Sequence, residues 1–358
     1  MMRTIDYSAL GSPVSKQDVA AYRAELARRK SGTNAGAWIV VAVVLSVLTL
    51  FGVSFLLFIV PAIVTMSMTE SSAGVGAGIV VLLVPVLTFA LFIVGTVLLA
   101  RYLGGKRFER YVRLDRFAKA NGLVFSPVDP NPQYPGAIFA SGHSRSAYEH
   151  FRSASDRFLD FGNYRYTTGS GKNSTTHTWG FMALQLDRAL PHMVLDSQAN
   201  NFLGSNLPAA FSKDQVLSLE GDFNRYFTLY CPKEYERDAL YVFTPDLMAL
   251  CIDNAAPFDI EIVDKWMFVY SASPFDMSTG HIYQRLFGIV DTVGAKTLTQ
   301  TDRYSDERVA NFTANYVAPQ GARLKRGVPA AAIVLGVIVL GFWIIPQIIA
   351  FGVALSGR

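Results

Sequence analysis

Cysteine is almost absent: Cys231 and Cys251 are the two in 358 residues. They stand 20 apart with no Cys-x-x-Cys pair, which excludes a zinc ribbon and a disulfide framework and points to free thiols. Charge is also scarce, at 17% Asp, Glu, Lys and Arg against 51% hydrophobic residues. No 20–50-residue repeat is visible, so a solenoid or propeller is excluded. A basic stripe is missing too. Residues 117–322 hold 16 Lys and Arg against 22 Asp and Glu, which argues against a nucleic-acid partner. The formal charge of +4 comes from the flanks of apolar runs.

Those runs are what the sequence has in excess. Three stretches, 37–66, 74–103 and 328–355, are predominantly apolar, and Asp, Glu and His are missing from all three. About 20 apolar residues span a hydrocarbon core of about 30 Å, so the pattern predicts three transmembrane helices. Arg101, Lys106, Arg107, Arg110, Arg113 and Arg116 follow the second run, and Arg323, Lys325 and Arg326 precede the third. Positive residues stay on the cytoplasmic side, so the expected threading is multi-pass in the cell inner membrane. On that reading 1–36 is a cytoplasmic segment with a short amphipathic helix, 67–73 an external loop, 104–327 a cytoplasmic domain and 356–358 an external tail. Anionic lipid headgroups are then the expected partner of the basic collars. The lack of ionisable groups inside the apolar cores disfavours ion-coupled transport.

The mean hydropathy of +0.27 suits membrane segments joined to one sizeable domain. Residues 1–13 read as disordered. Ser15 with Asp18 then forms a capping box. A second helix is expected over 106–120, ended by Asn121-Gly122. Strands are expected at 123–125, 158–166, 177–186, 225–230 and 239–243. The segment 168–174 reads as a hairpin loop, and 129–136, with Pro130, Pro132 and Pro135, as an extended loop. Thr244-Pro245-Asp246 starts a helix. The alternation over 258–262 and the apolar 266–270 read as a hairpin turning at Asp264-Lys265. A helix over 279–293 ends at Gly294. Separate helices and hairpins predict an α+β fold with a mainly antiparallel sheet, anchored by the three transmembrane helices.

One set of blocks carries a resemblance. Asn163-Tyr164-Arg165-Tyr166 with Gly171-Lys172 and Trp179-Gly180 form the first block. Leu219-Glu220-Gly221-Asp222-Phe223 with Tyr226-Phe227 and Tyr230-Cys231-Pro232 form the second, and Leu240-Tyr241 to Thr244-Pro245-Asp246 the third. They resemble a family of uncharacterised actinobacterial membrane proteins across most of 106–326. The resemblance implies a membrane-anchored cytoplasmic domain and carries no chemistry.

Catalytic motifs fail on inspection. A phosphate loop at Gly171-Lys172 would need Gly at Tyr166 and Ser or Thr at Asn173. Gly142-His143-Ser144-Arg145-Ser146 resembles a nucleophile elbow around Ser144 but ends in serine. His143, His150, His177, His192 and His281 are scattered without a completed ligand set. Glu220, Asp222, Glu234, Glu236 and Asp238 could do acid–base work only if held in a cleft; with Lys233 and Arg237 interleaved they read as solvated. Trp179, Phe223, Tyr226, Phe227, Tyr230, Trp266, Phe268 and Tyr270 read as core, or as an aromatic partner patch. No catalytic, cofactor or metal residue is assigned. The leading expectation is a non-enzymatic binding or scaffold domain for an unidentified protein partner or ligand. The alternatives are a membrane-associated hydrolase using the carboxylates of 220–238, or an accessory subunit of a larger membrane complex.

Overall fold

The fold is that of a computed structural model, which describes residues 5–29, 52, 94–95, 105–155, 157–201, 205–219, 221–309, 315–327, 340 and 343. Two compact units result: one of residues 12–113, the other of residues 1–11 with 114–358.

In the first unit, α1 (Lys16–Arg29) begins with the expected capping box. Ser15 N–H donates to Asp18 Oδ2 at 2.8 Å, and Asp18 N–H donates to Ser15 Oγ at 3.1 Å. The Arg23 guanidinium lies 4.2 Å from the centre of the Phe108 ring, a cation–π contact.

The expectation of three transmembrane helices is not supported. Among the described residues no helix is long and apolar enough to cross a membrane. Apart from residues 52, 94, 95, 340 and 343, the stretches 37–66, 74–103 and 328–355 lie outside the described residues. The apolar composition alone had carried that expectation. The α+β part of the reading agrees with the structure.

The second unit is built on a seven-stranded antiparallel sheet. Its strands are β1 (Leu123–Pro130), β2 (His143–Ser153), β3 (Leu159–Thr168), β4 (Thr175–Ser197), β5 (Val216–Leu217), β6 (Phe227–Tyr230) and β7 (Asp259–Ser271). The order is β1-β2-β3-β4-β6-β5, with β7 on the other side of β4. The 23-residue β4 pairs with β3 near its start, with β6 at its end and with β7 along most of its length. The helices α2 (Glu236–Val242), α3 (Pro245–Ala255), α4 (Gly280–Ile289) and α5 (Ala295–Thr301) complete the unit, and a π-turn links α4 to α5.

Both faces of the sheet are buried, which is why β4 and β7 read as near-continuous apolar runs. Phe117, Phe125, Phe151, Phe161 and Tyr283 interlock on one face. On the other, Tyr134 and Phe139 from the proline-rich segment pack on Phe181 and Phe268.

Several elements differ from expectation. Residues 239–243 are not a strand: Ala239 and Val242 belong to α2, whose i, i+3 spacing buries both. Asp264-Lys265 is not a turn. The chain runs straight through as β7, with Asp264 at φ +53° opposite an irregularity in β4 between Gln185 and Leu190. Gly294 does not stop the helix. Residues 5–12 are placed rather than disordered: Asp6 N–H donates to Asn121 Oδ1 at 2.8 Å.

Gly136 has a packing reason to be glycine. A Cβ there would overlap the Tyr270 hydroxyl, which donates to Glu261. Gly136→Ala should therefore cost about 1–3 kcal/mol by breaking a buried hydrogen bond. Urea denaturation checks this; unchanged stability would show that the segment shifts freely.

Candidate functional site

Three polar clusters lie in the second unit. The first surrounds His150, which is fully buried on β2. Its Nδ1–H donates to Asp160 Oδ1 at 2.8 Å, and its Nε2 stands 3.3 Å from Asp129 Oδ2, an ion pair rather than a well-formed hydrogen bond. Arg152 bridges Asp160 and Asp129 at 2.9 Å each. The Tyr134 hydroxyl donates to Asp160 at 2.5 Å. Burial alone would lower the His150 pKa, but the two carboxylates outweigh it and raise it. The His150 hydrogen bond, with burial opposing, brings Asp129 down to about 2. Two cations and two anions thus neutralise one another, leaving no free acid or base. Gly162 lets the strands close here, because a Cβ would overlap His150 Cα.

The second cluster crosses β4 and β7. His192 Nδ1 accepts from Leu324 N–H at 3.0 Å, so the ring proton sits on Nε2 and is donated to Glu261 Oε1 at 2.7 Å. Glu261 Oε2 accepts from Tyr270 and from Ala137 N–H, at 2.6 and 2.7 Å. Just past the last pair of the β4–β7 ladder, Leu195 with Ile260, follow Asp196 and Asp259, close enough for their charges to interact. Asp259 Oδ1 accepts from Ser197 N–H and Asn200 Nδ2–H, while Oδ2 has no partner. Burial, reinforced by the Asp196 charge, pushes Asp259 up to about 7.

The third cluster lines an open cleft of about 310 Å³ between α2 and residues 303–308. Asp306, buried and not itself part of the lining, anchors the segment 303–308. Oδ2 accepts from the Tyr235 hydroxyl at 2.7 Å and Ala318 N–H at 2.9 Å; Oδ1 accepts from Arg308 N–H at 3.0 Å. Burial raises the Asp306 pKa, but these donors outweigh it and hold it below the ordinary value. Arg308 lies 3.9 Å over the Tyr235 ring and pairs with Asp238 at 3.1 Å and Asp306 at 3.3 Å. The Tyr304 hydroxyl donates to the other Asp238 oxygen at 2.7 Å. Arg237, Arg303 and Glu307 complete the lining, and none has a polar partner among the described residues.

The expected candidates are scattered across these places. Of the carboxylates between 220 and 238, Asp238 alone lines the cleft; Asp222, Glu234 and Glu236 are exposed, and Glu220 lies outside the described residues. Ser144 and His143 are at the start of β2. His143 Nε2–H donates to Gly169 O at 2.9 Å, so Nδ1 accepts from the Ser144 hydroxyl at 3.1 Å. Both are exposed, and water competes for that hydroxyl. His177 stacks on Tyr166, and His281 is exposed at the start of α4. Among the described residues no three His, Cys, Asp or Glu are placed to hold a metal. Cys231 and Cys251 are free and buried, and burial pushes both thiols up to about 12. Most of the aromatics expected in the core are there, Tyr226 being exposed. Arg303, Tyr304, Asp306 and Arg308 were missed. The sequence signal was Arg303-Tyr-Ser-Asp-Glu-Arg308, but nothing in it says that α2 lies alongside.

No family model and no curated protein matches the chain. The crystal structure of the mycobacterial trehalose monomycolate transport factor A is similar over 53% of this chain and 90% of that one. The identity is 12% and the TM-score 0.34, a likeness too distant to carry an argument about either fold or function. It does not bear on the resemblance to the actinobacterial family.

The Asp259 carboxyl sets a pH dependence. Its folded pKa lies above the unfolded value of 3.8, so its contribution to stability is full below that value and is lost as pH rises through about 7. Between pH 4 and 8 the native chain should lose up to about 4 kcal/mol relative to Asp259→Asn. Urea melts of both across that range measure it, and parallel profiles would refute the assignment.

Proposed function

We propose that this domain is a binding module rather than an enzyme, and that it holds an anionic group in the cleft between α2 and residues 303–308. One observation carries the reading. Asp238 and Asp306 are held by donors on both oxygens, whereas two of the three guanidiniums lining the cleft have no partner among the described residues. Asp238 takes Tyr304 on one oxygen and Arg308 on the other, and Asp306 is saturated by four donors. A general base needs a lone pair free for the substrate proton, and a general acid needs a raised pKa. Asp306 is shifted the opposite way. Arg237 and Arg303, by contrast, are exposed and unpaired among the described residues. A planar guanidinium fork matches a carboxylate or phosphate edge.

The charge balance narrows the anion. Three guanidiniums, Arg237, Arg303 and Arg308, stand against three carboxylates, Asp238, Asp306 and Glu307, so the charges balance, with Arg308 shared between Asp238 and Asp306. A singly charged ligand disturbs that balance least. The hydrolase alternative finds Glu307 as the one unpaired carboxylate of the lining among the described residues, with no second free carboxylate to work beside it.

Sodium acetate titrated against the protein, followed by NMR of the arginine Nε–H groups, tests the reading. Millimolar or weaker binding is expected, because exposed ion pairs contribute at most about 1 kcal/mol each. Arg237→Ala and Arg303→Ala should each weaken it several-fold while moving stability by no more than about 0.5 kcal/mol. Glu307→Gln should strengthen it. Shifts that persist in the doubly substituted protein would refute the site.

A further inference from the structure

Beside the unpaired guanidiniums the same helix exposes apolar surface. Arg237, Leu240 and Tyr241 are spaced i, i+3 and i+4, so they share one face of α2. Leu240 is 52% exposed and Tyr241 41%, whereas Ala239 and Val242 on the opposite face are buried. Tyr241 lines the cleft, and its ring lies 6.0 Å from that of Tyr304 at 38°, so the two rings form an aromatic wall beside the charged lip. A bare anion would use the guanidiniums and leave this wall wet.

We infer that the ligand is a small amphiphilic carboxylate: one carboxylate held by Arg237 and Arg303, joined to an apolar body that lies on Leu240 and Tyr241. This rests on the anion-binding reading of the cleft and goes further by naming the chemical class. The volume of about 310 Å³ is at the small end of ligand pockets, which limits the apolar body to a single ring or a short chain. The balanced charge around the cleft favours a monoanion over a doubly charged phosphate monoester. The mixed face selects against a fully polar acid.

The experiment compares 3-phenylpropionate, acetate and 3-phenylpropanol on the full chain by NMR titration and calorimetry. Phenylpropionate should bind about tenfold tighter than acetate, which is what covering about 55 Å² of apolar surface provides. Leu240→Ser should reduce that advantage and leave acetate binding unchanged. Because Leu240 is exposed, the variant keeps its fold, and its thermal midpoint verifies this. Arg237→Ala should weaken both acids. Equal affinity for the two acids would overturn the amphiphile while leaving the anion reading intact. Phenylpropanol binding as tightly as phenylpropionate would overturn the carboxylate requirement. If no probe binds, this inference and the anion reading fall together.

Discussion

Satisfying carboxylates that have been taken out of water is the constraint on which this domain depends. An ionised carboxylate buried without partners costs several kcal/mol, so each must collect donors from wherever the chain can bring them. Asp160 collects Tyr134, His150 and Arg152. Glu261 collects Ala137, His192 and Tyr270. Asp306 collects Tyr235, Arg308 and Ala318. In every case at least one donor comes from irregular chain, which explains how segments without regular hydrogen bonding are fixed against the sheet. The proline-rich stretch is the clearest example: Tyr134 ties it to Asp160 and the Ala137 amide ties it to Glu261, two anchors three residues apart. Asp259 is the exception. One of its oxygens has no partner, and burial, reinforced by the Asp196 charge, raises its pKa.

The same accounting separates structural from available charge. Saturated groups hold the fold and are poor chemistry, because every lone pair is already committed. What remains for a ligand is the unsaturated set, and at the α2 cleft that set is Arg237, Arg303 and Glu307 beside an exposed apolar pair. The segment that presents two of them is itself anchored, with Asp306 and Arg308 holding residues 303–308 to Tyr235.

Local signals in the sequence were legible where the physics is local. The Ser15–Asp18 capping box, the Pro245 helix start and the loop between β3 and β4 needed only neighbouring residues. Longer strands were not legible. Asp187, Arg188 and Pro191 look like an interruption, yet β4 passes through them because β7 pairs on either side of the irregularity. Asp264 imitates a turn for the same reason. Residues 239–243 are a short apolar run like a buried strand, but five such residues cannot be told from part of a short helix with two buried positions. The three apolar runs show the opposite error, in which composition was read as architecture. The cleft was half visible: Arg237 and Asp238 stood out as charge, but the partners of Asp238, Tyr304 and Arg308, lie some 70 residues further on.

The long central strand also has a consequence in time. Its end at Ser197 leaves the ribosome well before Ser271, the last residue of the strand that closes its second edge. At about 5–20 residues per second, the intervening 70 or so residues take about 4–15 s to synthesise. Throughout that interval β4 presents an open row of amides and carbonyls flanked by apolar side chains, the template on which neighbouring nascent chains associate. Translation speed across 198–271 is therefore a determinant of how much of this protein reaches its native state.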